Sequence, residues 1–123
     1  MQQNRTNKEL AQSIFVALNS RNLATLEQYL SENARFDFPG VGTIEGRKKV
    51  VVFLKVLFRQ YPRLVFAVED IIAEGGQACA VWTNQGEDKK GNAYQNRGIT
   101  LVRFSEGKII FISDYFKDTS FVA

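Results

Sequence analysis

The segment QACAVWTNQGEDKKGNAYQNRGITLVRFSEGKIIFISDYFK, residues 77–117, decides the fold. Its β-branched and aromatic residues form three runs, separated by Glu87-Asp88-Lys89-Lys90-Gly91 and Ser105-Glu106-Gly107, which suit hairpin reversals. One step upstream, Glu74-Gly75-Gly76 closes another such run that starts after Pro62. Four antiparallel strands are predicted, at about residues 63–73, 77–87, 92–104 and 108–117.

Before this meander the period changes. Thr6-Asn7-Lys8-Glu9 has the form of a capping box, in which a threonine hydroxyl and a glutamate satisfy amides at a helix start. Leu10, Ile14, Ala17 and Leu18 then make a helical stripe, and Leu23, Leu26 and Leu30 make a second, shorter one ending at Ser31-Glu32-Asn33. Arg35-Phe36-Asp37-Phe38 alternates as a short strand until Pro39 removes a ladder donor. From Gly46 to Tyr61, Val50, Phe53, Leu54, Leu57 and Phe58 share a helical face, with Lys48, Lys55 and Arg59 on the wetter side, and Pro62 stops the helix. Three N-terminal helices followed by a long-stranded meander indicate an α+β domain, with the helices covering one face of a curved antiparallel sheet. No repeat or linker divides the chain, so residues 1–123 read as a single domain.

Composition narrows the chemistry. Histidine is absent and Cys79 is the sole cysteine, which removes the commonest zinc sets, internal disulfides and any nucleophile that relies on an imidazole. No metal site is expected. The formal net charge of +3 is small and dispersed, so nucleic acid is not an expected partner. Gly40-Val41-Gly42 and Gly75-Gly76 lack the strand-to-helix setting of a dinucleotide fingerprint and read as turns. The polar start, Met1 to Lys8, and the lack of a long apolar run lead to the expectation of a cytoplasmic protein without a membrane partner.

Strand parity singles out one carboxylate. In the last strand, Asp114 shares a face with Ile110, Ile112 and Phe116, so desolvation should raise its pKa into a range useful for proton transfer. The competing reading pairs Asp114 with an arginine of the neighbouring strand, or leaves it at a wet strand end. On that neighbour, Tyr94, Asn96, Gly98 and Thr100 share one face while Arg97, Ile99, Leu101 and Arg103 share the other. In the strand before it, Ala78 and Ala80 open into Trp82 and Asn84, a row with room for a ligand. Asp37 is a second candidate carboxylate, with an exposed strand end as its alternative.

With these elements in place, the chain resembles the nuclear-transport-factor-like α+β cone superfamily, on the branch of SnoaL-like polyketide cyclases, limonene epoxide hydrolase and ketosteroid isomerase. The resemblance rests on Ala17-Leu18-Asn19-Ser20-Arg21-Asn22-Leu23, Ser31-Glu32-Asn33-Ala34-Arg35-Phe36, Gly46, Glu106-Gly107-Lys108-Ile109 and Asp114-Tyr115-Phe116. It implies a cone with an internal cavity for a small apolar ligand, and it places Asn96 and Thr100 inward and Arg97 and Arg103 outward. An inward Arg97, partnering Asp114, stays open, since register can slip at Gly98. It also implies that Asp114 is the catalytic aspartate of the epoxide-hydrolase pattern. Trp82 and Asn84 stand where that pattern has its Arg and Asp, and Phe38, Ile14 and Thr100 replace the isomerase's base, tyrosine and acid, so neither specific chemistry carries over.

Two functions follow as expectations. In the first, a small apolar or polycyclic carbonyl compound undergoes cofactor-independent isomerisation or cyclisation. Asp114 takes the proton, Asn96 or Asn84 binds the oxyanion, and Trp82, Phe36, Phe53 and Leu57 shape a dry cavity, with Asp37 and Tyr94 as further ligand contacts. In the second, the same cone is a noncatalytic ligand carrier or a dimeric assembly module. Either way the outer sheet face, with Ile99, Leu101, Ile109, Phe111 and Tyr115, is expected to form a homodimer.

Overall fold

A computed structural model describes residues 6–118; most of the polar start read at Met1 to Lys8 lies outside the described residues. The element order is α1 (Asn7–Ser20), α2 (Leu23–Tyr29), β1 (Leu30–Phe38), β2 (Gly42–Glu45), α3 (Arg47–Gln60), β3 (Val65–Glu74), β4 (Gln77–Glu87), β5 (Ala93–Ser105) and β6 (Lys108–Phe116). The capping box forms at the start of α1: the Thr6 hydroxyl accepts from the Glu9 amide at 3.0 Å, and Glu9 accepts from the Thr6 amide at 3.0 Å. At the other end Arg21 turns left-handed, with φ 61°, and donates to the carbonyls of Leu18, Pro62 and Leu64 while its guanidinium stacks 3.9 Å from the centroid of Phe58. One cation thereby ties the α1–α2 corner to the α3–β3 corner.

The six strands form a sheet in the order β2-β1-β6-β5-β4-β3. The expectation of a wholly antiparallel sheet is corrected, because β1 runs parallel to β6. The meander returns its last strand beside the first, and α3 with the long strands supplies the crossover that a parallel pair requires. This pairing also corrects the end of α2. Leu30 continues the helical spacing of Leu23 and Leu26, yet it is already extended and pairs with Ile109, so β1 is nine residues long. Sheet pairing outweighs the local period there. The four-residue β2, antiparallel to β1 beyond the turn at Pro39–Val41, is too short to leave a periodic signal.

Helices cover one face. Leu10, Ile14, Leu18 and Leu26, with Val50, Leu54 and Phe58 of α3, pack on Phe36, Phe38, Ala80, Trp82, Val102 and Ile112. A bulge changes the last strand: Phe104 pairs with Ile109 and Arg103 with Phe111, leaving Ile110 unpaired. Ile109 is therefore fully buried with Ile112, and Ile110 is exposed, which reverses the expected sides of these two residues. Past the bulge the alternation holds, with Ile112, Asp114 and Phe116 inward. Arg97 and Arg103 are exposed on the outer face, so the reading with Arg97 inside as partner to Asp114 is overturned.

Candidate functional site

Among the described residues, two small cavities lie between the helices and the sheet. One, of about 40 Å³, is bounded by Phe36, Phe38, Leu57, Tyr61, Asn84, Tyr94, Asp114 and Phe116, among others. The other, of about 30 Å³, lies deeper, against Ile14, Phe15, Leu26, Thr100, Ile112 and Asp114. Asp114 borders both. Larger hollows, of about 560 and 400 Å³, are on the outer sheet face. Size alone would favour them. Asp114, the carboxylate with a strongly raised pKa, lines the small cavities and neither outer hollow, so the site is assigned to the interior.

Asp114 and Thr100 are direct cross-strand partners on the inner face. The Thr100 hydroxyl donates to Asp114 Oδ1 at 2.6 Å and accepts from the Trp82 indole Nε1 at 2.8 Å. Trp82 and Thr100 are both buried. Although Asp114 as a residue retains some exposure, its carboxylate is enclosed by the cavity walls. Desolvation pushes its pKa up to about 7, the Thr100 hydrogen bond opposes the rise, and the negative charge of Asp37 adds to it.

The other predicted residues divide. Phe36, Leu57 and Tyr94 line the cavity; Phe53 sits behind it, edge-on to the rings of Phe36 and Phe38. Trp82 does not line either inner cavity, and meets them through Thr100 and through the rings of Phe66 and Phe116. Ala78 and Ala80 line neither, so their small size serves close packing of the core rather than ligand space. Asp37 lies on the opposite face of β1 from Phe36 and Phe38, beside Ser113, and its placement as a ligand contact is corrected. It acts on the site through charge alone.

The two amides exchange roles. Asn96 is buried, but its Nδ2 donates to Tyr94 Oη and to the Asp118 carbonyl, and its Oδ1 accepts from the amides of Arg97 and Asp118. It lines neither inner cavity and anchors the chain after β6, so the expectation of a free oxyanion donor at Asn96 is corrected. Asn84 is 5% exposed, lines the cavity with Asp114, and its buried Oδ1 has no hydrogen-bond partner. A half-turn of the amide places NH₂ in the same position, so this side chain can present either end. Sequence reasoning gave Thr100 a direction but no partner, and did not single out Tyr61. The signal for Thr100 was present in the turn at Asp88–Gly91, which sets Trp82 opposite Gly98 and Thr100 one inward position farther along.

Fold and site together define an α+β cone of the nuclear-transport-factor-like class, with the Asp114 carboxylate inside. The sequence profile of the SnoaL-like domain matches residues 11–112, and the chain belongs to that family. Among solved structures, a proposed SnoaL-like polyketide cyclase from Jannaschia sp. CCS1 is 19% identical, with a TM-score of 0.82 over 94% of this chain and 92% of that one. A proposed polyketide cyclase from Xanthomonas campestris pv. campestris is 19% identical, with a TM-score of 0.84 over 92% and 91%. An NTF2-like protein of unknown function from Burkholderia pseudomallei has the same identity and TM-score, over 92% of both chains. At this identity the likeness establishes the fold. No curated protein matches the chain at a significant level. Among the described residues, no helix is long and apolar enough to cross a membrane.

Proposed function

We propose that the interior cavity binds a small apolar carbonyl compound and that Asp114 transfers a proton on it, as an isomerase or cyclase without a cofactor. The observation that supports this most is an enclosed carboxylate with a pKa near neutrality beside a buried amide without a partner. In this reading ionised Asp114 removes a proton from the carbon next to the carbonyl, and Asn84 NH₂ donates to the oxygen as it becomes an enolate. Protonated Asp114 then returns the proton to the γ-carbon of a conjugated enolate, or the enolate carbon attacks a second carbonyl in the same molecule, closing a ring as that carbonyl's π pair becomes an alkoxide that takes the proton from Asp114. The cavity is far below the roughly 300–1,000 Å³ of a drug-sized site, so a small substrate fits better than a polycyclic one.

The test is exchange of α-protons of small cyclic ketones in D₂O, followed by NMR. Wild-type protein is expected to accelerate exchange. Asp114→Asn should reduce the acceleration by a factor of ~10²–10⁴, and Asn84→Leu by roughly tenfold or more. Exchange that survives Asp114→Asn contradicts the assignment. The small volume of the cavities favours one competing reading, a noncatalytic module of the same fold. Ketones that cause no exchange and no shifts in the cavity resonances would favour it.

The outer sheet face is proposed as a homodimer interface in either case. It presents Val81, Ile99, Leu101, Phe111 and Tyr115, with Arg97 and Lys117 at one side and Glu69 at the other, an arrangement that can satisfy itself across a twofold axis. Sedimentation at micromolar concentration is expected to give twice the chain mass of 13.9 kDa, and Tyr115→Lys to shift it towards a monomer. A wild-type monomer refutes the interface.

A further inference from the structure

We propose that Thr100 is a positioning residue, held by Trp82, that confines proton exchange at Asp114 to Oδ2. The inference rests on the reading of Asp114 as the proton-transfer group and adds how that group is set. An indole N–H can only donate. At 2.8 Å it occupies acceptor capacity on Thr100 Oγ1, and the single hydroxyl proton is directed to the other partner, Asp114 Oδ1, at 2.6 Å. A carboxyl oxygen that receives this bond is the carbonyl-like oxygen when the group is protonated, so the proton resides on the other one. Oδ1 is an acceptor in both states. Oδ2 alone gains and loses the proton.

The surroundings leave little else to set the carboxylate. Asp37 bears on it from the far side of β1, Tyr61 faces the cavity from the end of α3, and Tyr94 from β5. The linings contributed by α1, α2 and β4 carry no ionisable group, and the Arg21 guanidinium stacks on Phe58, a wall residue. Among the described residues that line the two cavities, Thr100 is the one whose hydrogen bond favours the ionised form. The chain Trp82, Thr100, Asp114 crosses three adjacent strands, β4, β5 and β6, so the orientation is built into the sheet rather than a loop.

The experiment is a ¹³C-carboxyl NMR titration of Asp114 in the wild type and in Thr100→Val, Thr100→Ser and Trp82→Phe. Thr100→Val should raise the midpoint by about one pH unit or more, the shift expected for losing a hydrogen bond to a charged group. Thr100→Ser, which keeps the hydroxyl, should stay within about 0.3 unit of wild type, and Trp82→Phe should rise by roughly half a unit because the hydroxyl is released. Melting curves for the same proteins separate loss of stability from loss of orientation. An unchanged midpoint in Thr100→Val, or a serine variant that behaves like valine, overturns the proposal. Should Thr100→Val not fold, an unchanged midpoint in Trp82→Phe overturns it equally. These midpoints do not depend on turnover, so failure of the catalytic reading appears separately, as absent ketone exchange with the titration shifts intact.

Discussion

Asp114→Asn is expected to melt at a higher temperature than the wild type at pH 8, and at nearly the same temperature at pH 4. Burial, with the Asp37 charge adding to it, raises the Asp114 pKa from 3.8 to about 7 in the folded protein. A folded-state pKa above the unfolded one means that the native state binds the proton more tightly. The contribution is therefore favourable at low pH and is lost as pH rises from about 4 to 7. Above pH 7 the native state holds an enclosed charge, at a penalty on the order of 4 kcal/mol by linkage. Asparagine keeps the shape and the acceptor for Thr100, and removes the charge. The melting difference should open through this pH window and reach on the order of 10 °C. A structural ion pair would give the reverse, because removing one partner strands the other. An Asn variant that melts lower at pH 8, or by a difference independent of pH, contradicts the account.

Gly98→Ala is expected to lose roughly 3 kcal/mol of stability, at the upper end for overpacking. Gly98 pairs with Trp82 on one side and Phe116 on the other. An added Cβ would collide with the Tyr115 carbonyl and come within 2.9 Å of Trp82 Cζ2. The first neighbour is backbone and the second is an indole that is 1% exposed, so neither can swing aside. Displacement of the indole would also loosen its bond to Thr100. Urea unfolding gives the stability, and the Trp82 Nε1 resonance gives the bond. A loss below about 1 kcal/mol with an unchanged indole resonance would mean that the approach is not tight.

The sequence carried the fold where local signals and tertiary packing agree. The capping box at Thr6, the stop at Pro62 and the three hairpin turns set most boundaries, and the turn at Asp88–Gly91 fixes the register of β4 on β5. It failed where a distant strand decides. Leu30 suits a helix until Ile109 is available as a partner, and the parallel pairing of β1 with β6 has no local trace. The bulge at Ile110 exchanges the sides of two isoleucines whose chemistry is identical, so composition could not show it.

The site was legible to the same degree. Asp114 was found by parity because the bulge lies upstream and leaves the alternation from Ile112 to Phe116 undisturbed. Parity put Asn84 in the row of Ala80 and Trp82 and Asn96 in the row of Thr100, and the family resemblance turned Asn96 and Thr100 inward, but neither can say which amide is already engaged. That depends on the Asp118 backbone folding over Asn96, a contact 22 residues away. Asp37 was lost by a single position, since Phe36 and Phe38 take the inner face and turn it outward.

The most direct measurement is the wild-type titration of the Asp114 carboxyl, followed by its ¹³C shift from pH 3 to 9. A midpoint at about 7 is expected. A midpoint near or below the ordinary aspartate value of about 3.9 would show a solvated or ion-paired carboxylate, and would contradict the claim that this interior holds a group ready to exchange a proton at neutral pH.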